Sequence, residues 1–131
     1  MACVRSRVRV PLPPPAHKIN LNRMSDIKEL TNRAVEIRNK YSQMEKEKYG
    51  KEWTVSQTMQ GFVGDVGDLM KLVMAKEGAR EIENVDEKIA HELSDCLYSI
   101  LVLSRKLSVD LEPEFLKTMN ELEEKISQNT S

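Results

Sequence analysis

Gly61-Phe62-Val63-Gly64-Asp65-Val66-Gly67-Asp68-Leu69 is the stretch on which the reading of the fold turns. It is answered further along by His91-Glu92-Leu93-Ser94-Asp95-Cys96-Leu97. Each stretch sets two acids three residues apart inside an otherwise apolar helical pattern. Residues three apart stand about 60° apart around an α-helix, roughly one turn up. Asp65 and Asp68 therefore share a face, and so do Glu92 and Asp95. If the two helices pack side by side, four carboxylates meet. Burying that much like charge is costly unless a cation neutralises it. Four oxygen ligands without a Cys or His cluster favour a hard ion, Mg²⁺ or Mn²⁺.

Working outward, Thr54 with Gln57 forms a capping box and Gly78 a stop, which predicts a helix over 54–77. Its expected core face is the apolar arc of Val55, Met59, Phe62, Val66, Leu69, Met70 and Val73, with Asp65 and Asp68 at the edge of that arc. Asn84 with Glu87 predicts the start of the next helix, over 85–107. Its expected core face is Val85, Ile89, Leu93, Cys96, Ile100, Leu103 and Leu107, again with the acids, Glu92 and Asp95, at the edge. Asp26 with Glu29 opens a helix over about 25–48, in which Ile27, Leu30, Ala34, Ile37, Tyr41 and Met44 recur at helical spacing. Pro113 fits the first turn of a last helix over 111–126, with Leu111, Phe115, Met119, Leu122 and Ile126 inward and the last five residues frayed. The fold class is all-α, a four-helix-type bundle. Gly61, Gly64 and Gly67 each cost a helix about 1 kcal/mol relative to Ala. Their use is to remove bulk, either for a ligand or for a closely packed helix.

The totals narrow the function classes. The chain has 131 residues, enough for one domain with a modest core. Its 20 Lys and Arg nearly balance 21 Asp and Glu, which gives no support to a nucleic-acid polymer held by bulk charge. No apolar run approaches the ~20 residues that span a bilayer. Cys3 and Cys96 form no disulfide framework, so a cytoplasmic setting is expected. Residues 1–24 differ from the rest: Arg5, Arg7, Arg9, Lys18 and Arg23 occur without an acid, around Pro11-Leu12-Pro13-Pro14-Pro15. They read as a disordered basic, proline-rich extension, or as sequence ahead of a start at Met24; an organelle-targeting segment is the alternative. The helical domain is expected over 25–131.

Other chemistries fit less well. His91 beside Glu92 begins a His-Glu-x-x-His zinc pattern, but position 95 is Asp. No Glu-x-x-His pair is present, as a di-iron carboxylate bundle needs. Trp53, Phe62 and Tyr98 carry flat rings able to stack on a nucleobase, with plain core or interface packing as the competing role.

Taken together, the paired acids and the helix order resemble the MazG-type all-α nucleoside triphosphate pyrophosphohydrolases. The family pairs two acids at i, i+3 on one helix with Glu-x-x-Asp on the next. Gly64-Asp65-Val66-Gly67-Asp68-Leu69 matches the first part and Glu92-Leu93-Ser94-Asp95 the second, over a match running from about Ile27 to Ile126. The resemblance implies a homodimer or homotetramer and Mg²⁺ held by Asp65, Asp68, Glu92 and Asp95. It implies water attack at the α-phosphorus of a nucleoside or deoxynucleoside triphosphate, giving a monophosphate and pyrophosphate. Lys76, Lys88 and Lys106 are candidates to meet phosphates, and Lys117 and Asn120 match the family's last-helix Lys and Asn loosely. The chain departs from the family in its first pair, which is normally Glu-x-x-Glu. Each Asp carboxylate reaches roughly 1.5 Å less far, one C–C bond, which puts rate and metal number in question. A non-catalytic helical oligomer that binds nucleotide or metal is the alternative function, and a purely structural helical module a third.

Overall fold

Local capping sets the helix boundaries. In the computed structural model, which describes residues 26–129, the Asp26 carboxylate accepts the Glu29 backbone N–H at 2.7 Å and opens α1 (Ile27–Tyr49). Gly50 closes α1 at φ 75°, a left-handed conformation that a Cβ disfavours. Thr54 and Gln57 exchange both bonds of the expected capping box, at 2.9 and 3.1 Å, and open α2 (Val55–Lys76). Gly78 takes up φ 87° two residues after α2 ends. The helices α3 (Val85–Lys106) and α4 (Leu111–Asn129) complete an all-helical chain with no strand among the described residues. The extension expected over 1–24 lies outside the described residues.

Two local expectations need correction. Asn84 stands at the N-cap of α3, but its side chain makes no cap hydrogen bond. Its φ of 54° is left-handed, whereas a capping side chain reaches the first-turn N–H groups from the β region. Helix α4 runs three residues past the expected end at 126, so Ser127 to Asn129 are helical and not frayed.

Helices α2 and α3 form an antiparallel hairpin, closed at its turn by the Lys76 ammonium on the Asp86 carboxylate at 2.5 Å. Helix α1 packs on α3, and α4 leans on α1 alone to any extent. The core gathers Ala34, Leu101 and Val102, flanked by the half-buried Ile27, Tyr98 and Leu111.

The buried faces match the expected apolar arcs only in part: Ala34, Cys96 and Leu103 are buried, and Phe62, Leu69, Val85 and Ile89 half-buried. On α2 the buried residues are Thr58 and Leu72, with Asp65 half-buried between them, while Met59, Val66, Met70 and Val73 face outward. On α3, Glu92, Asp95 and Ser99 turn inward, whereas Leu93 and Ile100 are exposed. On α1 the inner stripe is Thr31, Ala34, Arg38, Ser42 and Glu45, and Leu30, Tyr41 and Met44 lie outside it. Helix α4 buries none of its residues; of its expected core face only Leu111 is even half-buried. The inward edges carry small and polar residues that pack closely or pair with one another, so the chain spends its contacts on them and leaves much of its apolar surface bare.

Val102 is 1% exposed, at the centre of the small core. Val102→Ala removes two buried methyl groups and is expected to lower unfolding stability by about 2 kcal/mol, read from urea unfolding of the two proteins.

Candidate functional site

The hairpin brings one acid of each pair to a common cavity. Asp65 projects from α2 and Asp95 from α3, both half-buried and both lining one cavity. Burial pushes the Asp65 carboxyl above its ordinary pKa; the charges of Asp95 and then Asp68 raise it further, against a hydrogen bond from the Ser99 hydroxyl. Cys96 beneath them is buried and free, and its thiol is raised first by burial and then by Asp65, Glu92 and Asp95. A negative field from three of the predicted acids therefore converges on one point of the hairpin.

The acids are near one another without forming a coordination sphere: among the described residues, no group of three or more His, Cys, Asp or Glu is placed to hold a metal ion. Two have local partners instead. Asp68 is exposed and accepts from Lys71 at 3.1 Å, and Asp95 lies 3.2 Å from His91 Nε2. Such exposed pairs one turn apart are worth well under about 1 kcal/mol each, so side-chain rotation frees both carboxylates cheaply. The donor set is all carboxylate, which suits Mg²⁺, and a cation would relieve the part of the Asp65 shift that comes, after burial, from the charges of Asp95 and Asp68.

Beside the acids the cavity has a volume of about 310 Å³ and reaches to α1 and to the turn before α2. Trp53 and Tyr98 line it, together with Arg38, Tyr41 and Glu45. The Tyr98 hydroxyl is enclosed beside the Arg38 guanidinium; burial raises its pKa, against the opposing effect of Arg38. Gly61 forms part of the wall. A Cβ there would stand 3.1 Å from the Trp53 ring, so glycine lets the indole lie against α2. A Cβ at Gly64 or Gly67 would meet nothing within 4 Å among the described residues.

The other predicted residues are dispersed. Phe62 is half-buried and does not line the cavity. Lys76 is held by Asp86 at the hairpin turn, and Lys88 is exposed on the first turn of α3. Lys106 is half-buried, its ammonium 3.5 Å from the Trp53 carbonyl. Lys117 and Asn120 sit exposed on α4 and do not line the cavity. A second cavity, of about 300 Å³ between Ile27, Ser104 and Leu111, holds none of the predicted residues.

Sequence reasoning missed Arg38 and Glu45. They form a buried ion pair seven residues apart on α1, each side chain 10% exposed. Glu45 also accepts the Trp53 backbone N–H at 3.0 Å, and the Arg38 guanidinium stands 5.7 Å from the centre of the indole. The pair thus ties α1 to the turn that positions Trp53. The signal was present: opposite charges two turns apart, in line with Ala34 and Ser42 on one face. Burial pushes the Glu45 carboxyl up, but the hydrogen bonds from Arg38 and Trp53 N–H together outweigh it and hold the pKa below its ordinary value.

Comparison of the chain with protein-family models, with curated proteins and with solved structures returns no match.

Because the folded pKa of Glu45 is depressed, its stabilisation is present above the ordinary value of 4.5 and is lost as pH falls through the folded value. Glu45→Ala leaves Arg38 buried and unpaired and is expected to lower stability by about 3 kcal/mol near neutral pH. Denaturant unfolding at a series of pH values should show the difference between the two proteins shrinking in acid.

Proposed function

We propose that this chain is a Mg²⁺-dependent pyrophosphohydrolase of nucleoside or deoxynucleoside triphosphates, releasing a nucleoside monophosphate and pyrophosphate and clearing unwanted nucleotides. The observation that carries the reading is the inward-turned carboxylate edge: Asp65 is held against Asp95 with its pKa raised, at the mouth of an aromatic-lined cavity.

In this reading Asp65, Asp68, Glu92 and Asp95 hold the cation. When bound, the ion shields phosphate charge and lowers the pKa of the attacking water. One of these carboxylates orients that water and accepts its proton. Trp53 and Tyr98 offer faces for a nucleobase. Lys106 is the predicted lysine nearest the cavity wall, through its contact with Trp53, and is the first candidate to meet phosphate. The enzyme works as a homo-oligomer. No helix among the described residues is long and apolar enough to cross a membrane, and the free Cys96 fits the cytoplasm.

The shorter Asp65–Asp68 pair and the absence of a ready coordination sphere favour, as a second reading, a module that binds nucleotide or metal without turnover.

Pyrophosphate release across a panel of NTPs and dNTPs separates the two. The enzyme reading expects Mg²⁺-dependent release from at least one nucleotide and a loss of at least about 100-fold in Asp68→Asn. Release from none, with melting still raised by Mg²⁺ through mass action, supports the binding module. Melting indifferent to both Mg²⁺ and nucleotide counts against both. Asp65 adds a sign: its folded pKa is raised, so its ionised form costs stability above that value and the cost vanishes as pH falls through it. Stabilisation by Mg²⁺ should therefore be larger at pH 7 than at pH 4.

A further inference from the structure

Helix α4 is the least covered element among the described residues. Leu111, its first residue, is half-buried beside Ile27 on the small core, and every residue from Glu112 to Asn129 is exposed. Its apolar residues nevertheless keep a helical order. Leu111, Phe115, Met119 and Leu122 are spaced by four, four and three residues, so they fall within about 80° of one another around the axis. Phe115, Met119 and Leu122 are 56%, 38% and 47% exposed. A helix in a folded chain draws most of its stability from packing such a face, and residues 26–129 do not supply that packing to α4 beyond Leu111.

Acids border this arc. By helical spacing Glu112 and Glu123 stand along one edge, and Glu114 and Glu121 along the other. None of these four carboxylates has an ion-pair partner among the described residues. Over its length α4 carries five Glu and two Lys. What covers the arc must therefore be apolar with cations beside the apolar groups.

The chain itself holds a segment of that chemistry. Residues 1–25 include Arg5, Arg7, Arg9, Lys18 and Arg23 and none of the 21 acids. Interspersed with these cations are Val4, Val8, Val10, Leu12, Ile19 and Leu21. The segment also joins the fold beside α4. It ends at Asp26, the cap of α1, and Ile27 lines one cavity with Leu111 and Glu112 at the start of α4. Twenty-five residues reach at most roughly 80 Å, against about 28 Å for the 19 residues of α4. A tether this short holds the segment at an effective concentration on the order of millimolar, so weak contacts suffice.

We propose that residues 1–25 are the occupant of the acid-bordered apolar face of α4, within one copy of the chain. The contact is independent of whether the acids of α2 and α3 turn over a nucleotide, and of the number of copies in the assembly.

Hydrogen exchange on the full chain tests it, because an uncovered helix exchanges its amides through local opening. The amides of Phe115 to Leu122 are expected to exchange at least about tenfold more slowly in the wild type than in a chain carrying Arg5→Glu, Arg7→Glu, Arg9→Glu, Lys18→Glu and Arg23→Glu together. The wild-type protection should be unchanged on dilution, as a contact within one copy requires. Should the reversed chain lose its helical circular dichroism, carbodiimide coupling of the wild type is the second test. Lys18, the only lysine of the segment, is then expected to join a glutamate of α4 within the 15.0 kDa species. Wild-type amides exchanging as fast as those of the reversed chain, protection that falls on dilution (the mark of a second copy on α4), or no link from Lys18 to α4 would each overturn the proposal.

Discussion

The pairing of α2 with α3 through their carboxylate-bearing edges is the constraint from which the other features follow. Once Asp65, Glu92 and Asp95 are turned toward the hairpin seam, like charges face each other at reduced dielectric. Burial first, and that repulsion second, raise the pKa of Asp65. Serine, threonine and cysteine fill the spaces between the acids, and Ser99 gives Asp65 one compensating hydrogen bond. The arrangement costs stability, and the hydrophobic core that offsets it is small. Marginal packing around converging charge is what a ligand-dependent site has in common with a strained one: both are relieved by something the chain does not itself supply.

The Arg38–Glu45 pair extends that polar interior onto α1. Its value lies less in net stabilisation, which buried pairs seldom provide, than in connection. Glu45 accepts from Arg38 and from the Trp53 backbone together, so the end of α1 and the turn into α2 hold one geometry. Trp53 is thereby placed against Gly61, one turn ahead of Asp65. The cavity wall and the carboxylates are in this way set by one connected group of residues, and a change on α1 reaches the site without touching it.

The same rotation that brings the acids inward carries Met59, Val63, Val66 and Met70 outward. In a chain this small the two demands compete, because a helix has one best-buried edge. The sequence settles the competition by placing the acids at the edge of the apolar arc and not opposite it. Acids and apolar stripe are then both buried if a second surface is present, and only one of them if it is not.

Helix number, helix type and most boundaries were legible in the sequence, because they rest on near neighbours. The Thr54–Gln57 box, the Asp26 cap and the stops at Gly50 and Gly78 act within four residues of where they stand. That the acids of each pair share a helix face follows from i, i+3 spacing alone; of the four, the hairpin brings Asp65 and Asp95 to one cavity and leaves Asp68 exposed. Asn84 misled because its left-handed backbone, not its residue type, decides whether its side chain can cap. The Arg38–Glu45 pair and its tie to Trp53 were not foreseen, for the contact spans α1 and the following turn. Above all, the sequence by itself determined that each helix carries an apolar arc with acids at its edge, whereas only the tertiary structure decided which of the two would face inward. The physical reason is that apolar burial is non-directional: a stripe such as Met59-Val63-Val66-Met70 is satisfied equally by its own chain or by another, so periodicity marks it for burial without saying where.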